Sequence, residues 1–276
     1  MKLKSELKRA IINIWFITPL FILTLISSLD ILFAIKSYNL FLNTIKGFDD
    51  IEMDMCIPVF TSFNFWIGNN SSLYSTIFFW TSPLLAALPY SWAYCRKKNY
   101  RKSSLYTDSK EEYLLKYISV FISSGLIALI PLFINFIAIS LVVPSIKPDS
   151  IYDINYGIFS NNYVGVLFYK FPYIYVLFYG FLNFVFNGLI GGLGISISTI
   201  SKSKITAVLF PSIIIFLLEK LKGMMQLSFE ISPVSFLCPS EPQHDNGYII
   251  IGEILIIIIL SIVFSGIGLR GKKCEK

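Results

Sequence analysis

Histidine is nearly missing from this chain. The only one, His244, sits in a turn rich in Pro, Asp and Asn, far from any helix that could bring a second ligand. An intramembrane metalloprotease or an imidazole-based acid–base centre therefore finds no reagent here. Charge is scarce as well: 14% of residues are charged and 55% are hydrophobic, against the roughly 25% charged that soluble domains carry. The net charge of +6 does not indicate a nucleic-acid surface, because no basic block is long enough to form one. The four cysteines, Cys56, Cys95, Cys238 and Cys274, show no metal-ligand spacing. Near the C-terminus Gly266, Gly271 and Lys272 approximate a nucleotide-binding loop, but Lys273 stands where Ser or Thr should follow and no strand precedes. These residues imply no catalytic group, no metal, no cofactor and no ATP hydrolysis by this chain alone.

What the chain has in abundance is long apolar runs. Six of them extend over about Ala10 to Ile35, Ser75 to Tyr94, Tyr113 to Val143, Phe171 to Ile200, Ile205 to Leu218 and Tyr248 to Leu269. A helix that crosses the hydrocarbon core needs roughly 20 predominantly apolar residues; five runs reach that length and the fifth falls short. The expectation is an all-α polytopic membrane protein with six transmembrane helices in one domain, 1–276. The first run is too long for a signal-peptide core and lacks a convincing cleavage site, so it is predicted to stay in the mature protein.

Basic residues fall in alternate gaps. Lys2, Lys4, Lys8 and Arg9 precede the first run; Arg96, Lys97, Lys98, Arg101, Lys102, Lys110 and Lys116 lie between the second and third; Lys202 and Lys204 between the fourth and fifth; Arg270, Lys272, Lys273 and Lys276 after the sixth. These are 17 of the 23 basic residues, whereas the remaining gaps carry Asp49, Asp50, Glu52, Asp54, Asp149, Asp153, Glu230, Glu241 and Asp245. Positive residues near span ends are retained in the cytoplasm, so both termini are predicted to be cytoplasmic. Cys56 and Cys238 then lie outside, where a disulfide is chemically permitted, although unpaired thiols fit the spacing as well.

Lys2 to Ala10 reads as a short helix lying at the inner interface. The outer segment Ser37 to Tyr74, with Phe60, Phe63, Phe65 and Trp66 close together, reads as a loop resting on headgroups, with a small subdomain or lid as the alternative. In the inner segment about 95–116, Asp108 with Glu111 and Ser109 with Glu112 match capping boxes, so a helix is predicted to start near Asp108. Glu111 and Glu112 superficially resemble the double-glutamate motif of membrane CAAX-type proteases, but no helical His accompanies them and capping explains them. Gly188 and Gly192 form a GxxxG pair suited to close helix contact, within the bundle or between subunits. The apolar segment Lys220 to Gly247, broken by Pro233, Pro239 and Pro242, is expected as re-entrant half-helices between spans five and six or as an ordinary loop. Among charges within spans, Asp30 and Glu253 are candidate pathway residues, although both are expected near an interface within reach of water. Asn135, Asn183 and Asn187 lie deeper, where they can bond between helices. No buried midplane carboxylate is expected.

With these features the chain resembles the permease subunits of type-2 ABC exporters, in particular the small six-span permeases of low-GC Gram-positive bacteria. The resemblance rests on the layout, on Tyr100 to Lys116 (YRKSSLYTDSKEEYLLK) as an inner coupling region, on the long third span ending in Pro144, and on Ser232-Pro233. The usual Arg of the coupling region stands here as Asp108 or Ser109. The resemblance implies a bacterial cell-membrane protein that pairs with a second permease, identical or related, and with separate ABC ATPase subunits. Tyr100, Tyr106, Asp108, Glu111 and Glu112 would be the coupling contacts, and a peptide, antibiotic or lipid-like substrate would leave outward. Two other classes remain open: a secondary transporter or channel without an ATPase, and a membrane scaffold or immunity protein.

Overall fold

A computed structural model describes residues 2–46, 60–89, 110–156, 158, 164–201, 203–225, 231–238 and 247–274. Among these residues the chain is all-helical. The elements are α1 (Lys2–Ile11), α2 (Ile14–Ile45), α3 (Ser62–Phe65), α4 (Leu73–Ala86), α5 (Lys110–Ser140), α6 (Asp153–Tyr156), α7 (Gly165–Lys170), α8 (Pro172–Ile200), α9 (Lys204–Met225), α10 (Pro233–Phe236) and α11 (Gly247–Cys274). Four of them contain stretches long and apolar enough to cross a membrane: Ile14–Ile45, Glu111–Ser140, Pro172–Ile200 and Gly247–Gly268. The chain is thus a multi-pass membrane protein by the length and composition of its helices.

The other two expected spans look different. Helix α4 has 14 residues, and the rest of the second apolar run, past Pro89, lies outside the described residues. Helix α9 has 22 residues, longer than the expected Ile205 to Leu218, but it carries Lys204 at one end and Glu219, Lys220 and Lys222 near the other. Neither joins the four. Helix α2 continues ten residues beyond the expected Ile35 to Ile45, because the stretch from Lys36 to Thr44 holds neither glycine nor proline to break it. This extension puts Asp30 near the middle of its helix rather than toward one end.

Local chemistry sets the helix starts. Asn13 caps α2, its side-chain oxygen accepting from the Trp15 amide at 3.3 Å, and Ser72 caps α4 by accepting from the Ser75 amide at 2.9 Å. Pro172 opens α8 at its first turn, where a missing N–H costs nothing. Inside α4, Pro83 leaves the Phe79 carbonyl without its helical donor, and the Ser82 hydroxyl donates to that carbonyl at 3.4 Å.

Helix α8 is the centre of the bundle. It packs against α4, α5, α7, α9 and α11, and 21 of its residues are buried. Helix α2 buries Phe16, Pro19, Leu23, Ser27, Asp30 and Ala34, a stripe at spacings of three and four, while Ile17, Phe21, Leu25 and Leu32 point outward. Helix α11 lies on the outside, with Ile251, Leu255, Ile259 and Ile262 exposed. Large apolar residues on an outer face suit a lipid surround, which is as apolar as they are.

Contacts fix the polarity of the bundle. Ala10 of α1 clusters with Val120 of α5 and Ile195 of α8, the Tyr113 and Ser196 hydroxyls are 2.9 Å apart, and a side chain on Gly268 would meet Thr199. The start of α5 and the ends of α8 and α11 therefore share one end of the bundle with α1. Asn13 Nδ2 donates to the Pro89 carbonyl at 3.4 Å, so α4 also finishes at that end.

Candidate functional site

The opposite half of the bundle holds a buried polar cluster centred on Asp30. Its carboxylate has no exposed surface and accepts from Ser72 Oγ at 2.6 Å, from Asn70 Nδ2 at 3.0 and 3.1 Å and from Asn135 Nδ2 at 3.1 Å. The expected access to water is not found: two side-chain amides and a hydroxyl, from the 70–72 stretch and from α5, take the place of solvent. Asn135 also donates to the Ser27 carbonyl at 3.2 Å and accepts from the Ile67 amide at 2.9 Å. Every polar atom it presents thus ties α2, α5 and the segment before α4 together. The expectation of no buried carboxylate fails here, and the helical register already carried the signal, since Asp30 follows Leu23 and Ser27 on the inward stripe of α2.

The segment 61–72 is the second departure. Instead of a loop on headgroups, Thr61, Ser62, Phe63, Trp66, Ile67, Asn69 and Ser72 are buried. The Trp66 indole donates to the Leu132 carbonyl at 3.1 Å, Ser75 Oγ to the Ile67 carbonyl at 2.6 Å, and the Tyr175 hydroxyl to Asn69 Oδ1 at 3.2 Å. Non-helical backbone is tolerated at depth where protein satisfies it, and at Ile67 the Ser75 hydroxyl on the carbonyl and Asn135 Oδ1 on the amide do so. Phe63 packs edge-on to Tyr173 with ring centroids 5.0 Å apart. Of the aromatics read as interfacial, Phe63 and Trp66 are core, whereas Phe60 and Phe65 are half-buried.

A second short insert, 231–238, meets the first. Val234, Phe236, Leu237 and Cys238 are buried, and Phe236 packs against Phe186 with centroids 4.8 Å apart. Asn183 Nδ2 donates to the Leu237 carbonyl at 3.2 Å, and Ser235 Oγ donates to Glu219 Oε2 at 3.0 Å. The Cys238 thiol lies 3.8 Å from Ser75 Oγ; Cys56 lies outside the described residues, and so does any pairing between the two. Among the described residues Asn187 bonds only within α8, to the Asn183 carbonyl at 3.0 Å.

Gly188 and Gly192 face α5 within the same chain. A Cβ on Gly188 would stand 2.8 Å from the Phe121 carbonyl oxygen, and one on Gly192 would stand 2.6 Å from the Tyr117 ring. Gly125 of α5 answers from the other side, with the Phe184 carbonyl oxygen 2.6 Å from its would-be Cβ. The missing side chains let the two backbones approach.

Of the coupling residues, Tyr100, Tyr106 and Asp108 lie outside the described residues. Glu111 and Glu112 occupy the first turn of α5, where carboxylates favour the helix dipole; Glu111 is exposed and Glu112 half-buried. Asp30 and Glu253 are not brought together. Glu253 lies in α11 beside an apolar cavity of about 450 Å³ bounded by α8, α9, α11 and the 231–233 stretch. Among the described residues no group of three or more His, Cys, Asp or Glu side chains could hold a metal. No family model, curated protein or solved structure matches the chain.

Proposed function

We propose that this chain is the permease subunit of an ATP-driven exporter, crossing the bacterial cell membrane six times with both termini cytoplasmic. In this reading α4 and α9 supply the second and fifth crossings, and the short helices α3 and α10 are re-entrant elements in the outer leaflet. The gathering of α1, the first turn of α5 and the ends of α4, α8 and α11 at one end of the bundle carries the reading. That end receives the basic segments, and the 95–116 region joins there. A separate ATPase would dock on Tyr100, Tyr106, Asp108, Glu111 and Glu112, and a second permease, identical or related, would complete the pathway. Nucleotide-driven closure would then shift the bundle between states of different substrate access, the work coming from the ATPase. The cargo in this reading is a peptide, antibiotic or lipid-like molecule.

The test is purification from cells that make the chain together with its native neighbours. Co-elution of an ATP-binding subunit, lost when residues 100–112 are scrambled, supports the exporter. A chain that elutes alone and drives ion-dependent uptake in vesicles sinks it. That second outcome would favour a secondary carrier, for which the carboxylate of Glu253 within a membrane-spanning helix speaks.

A further inference from the structure

The cavity beside Glu253 is lined almost entirely by aliphatic side chains and prolines, among them Leu193, Pro211, Ile215, Pro233 and Ile257. Its volume of about 450 Å³ falls within the range of roughly 300 to 1,000 Å³ typical of small-molecule sites. One wall residue, Ile256, is 56% exposed, so the cavity opens toward the surface of the bundle. Gly252 also lines it, and a Cβ there would meet nothing within 4 Å. Among the described residues the sole ionisable group on the wall is Glu253, whose Oε2 is buried and has no hydrogen-bond partner there. Among the described residues no lysine, arginine or histidine lines the space.

Asp30 and Glu253 make a contrast that decides the reading. Asp30 is surrounded by donors and is fully satisfied within the protein. Glu253 is left with an oxygen that nothing among the described residues satisfies, in an apolar setting that strongly disfavours an uncompensated carboxylate. An orphaned acceptor at the wall of a ligand-sized, water-poor space is complementary to a visitor that brings its own positive charge or donor on an apolar body.

We propose that this cavity binds a small lipophilic cation, its apolar body against α8, α9 and the Pro233 stretch and its cationic centre beside Glu253. The site stands on its own geometry; only the naming of such a cation as cargo rests on the exporter reading. The occupant is a freely diffusing amphiphile rather than a membrane lipid.

Tetraphenylphosphonium is a suitable probe, and tetraphenylborate, of the same shape and opposite charge, is its control. With the full chain in phosphatidylcholine nanodiscs, and after subtracting partition into empty nanodiscs, the phosphonium should bind saturably. Glu253→Gln should weaken it at least tenfold while leaving the borate unchanged or better bound. Gly252→Leu, whose Cβ would stand in open space at the cavity wall, should abolish binding with Glu253 intact. Binding no greater than in empty nanodiscs, or phosphonium affinity unchanged in a folded Glu253→Gln variant, would overturn the site. Displacement of the probe by phosphatidylethanolamine would overturn the assignment to a freely diffusing cation. None of these measurements needs an ATPase, so failure of the site leaves the exporter reading standing, and a chain without an ATPase partner leaves the site standing.

Discussion

Asp30 shows how one residue can set the tertiary structure of a membrane bundle. Its four hydrogen bonds draw α2, α5 and the 61–72 segment to a single point. Asp30→Ala leaves buried donors on Asn70, Ser72 and Asn135 unsatisfied and should destabilise the protein by about 3 kcal/mol. Asp30→Asn, which keeps one acceptor, should cost about half as much; thermal unfolding in detergent checks both. The glycines give a sharper steric comparison. Gly188→Leu drives atoms into the Phe121 backbone, 2.8 Å from its Cβ, and should cost about 2 kcal/mol. Gly252→Ala, with nothing within 4 Å, should change stability by less than about 0.5 kcal/mol. Equal losses in the two variants, measured the same way, would mean that α5 and α8 do not meet along the glycine face.

At the scale of elements, the long spans were legible in the sequence and the burial of the 61–72 insert was not. Pro172 to Ile200 is apolar, opens on a proline and ends at a serine, so the fourth span and its helix coincide within a residue. Composition alone cannot assign Phe63 and Trp66, because an aromatic at an interface and one packed beneath a helix read identically. What decides their burial is the partner far along the chain, Leu132 for the Trp66 indole and Asn135 for the Ile67 amide. The end of α9 was misjudged for a related reason: Glu219 reads as the limit of an apolar run, yet it bonds Ser235 of the second insert and the helix continues past it. The cavity at Glu253 was half legible, as a carboxylate in an apolar run, but the lack of a partner exists only once α8 and α9 are folded around it. One expectation separates an insert from a surface loop. In a cysteine-free background Phe63→Cys, buried to 1% exposure, should resist a water-soluble maleimide, whereas Ile151→Cys, at 79%, should react rapidly. Comparable labelling of the two would return residues 61–72 to the surface.

For the whole molecule, the physics rests on two ends of one bundle. The two short inserts fill the half that contains Asp30, Asn69 and Cys238. The other half carries α1, with Lys4, Lys8 and Arg9 exposed, and the turn between α8 and α9. In the proposed topology the second end is the inner one, on the rule that basic segments are retained in the cytoplasm, and the proposed motor contacts need it there. The most direct measurement is side-specific labelling of single cysteines in intact cells, at Lys4→Cys and Ser203→Cys on the basic end and at Ile151→Cys on the other. The account predicts that an impermeant reagent reaches Ile151→Cys from outside and the other two only after the membrane is permeabilised. Labelling of Lys4→Cys and Ile151→Cys from the same side would contradict it.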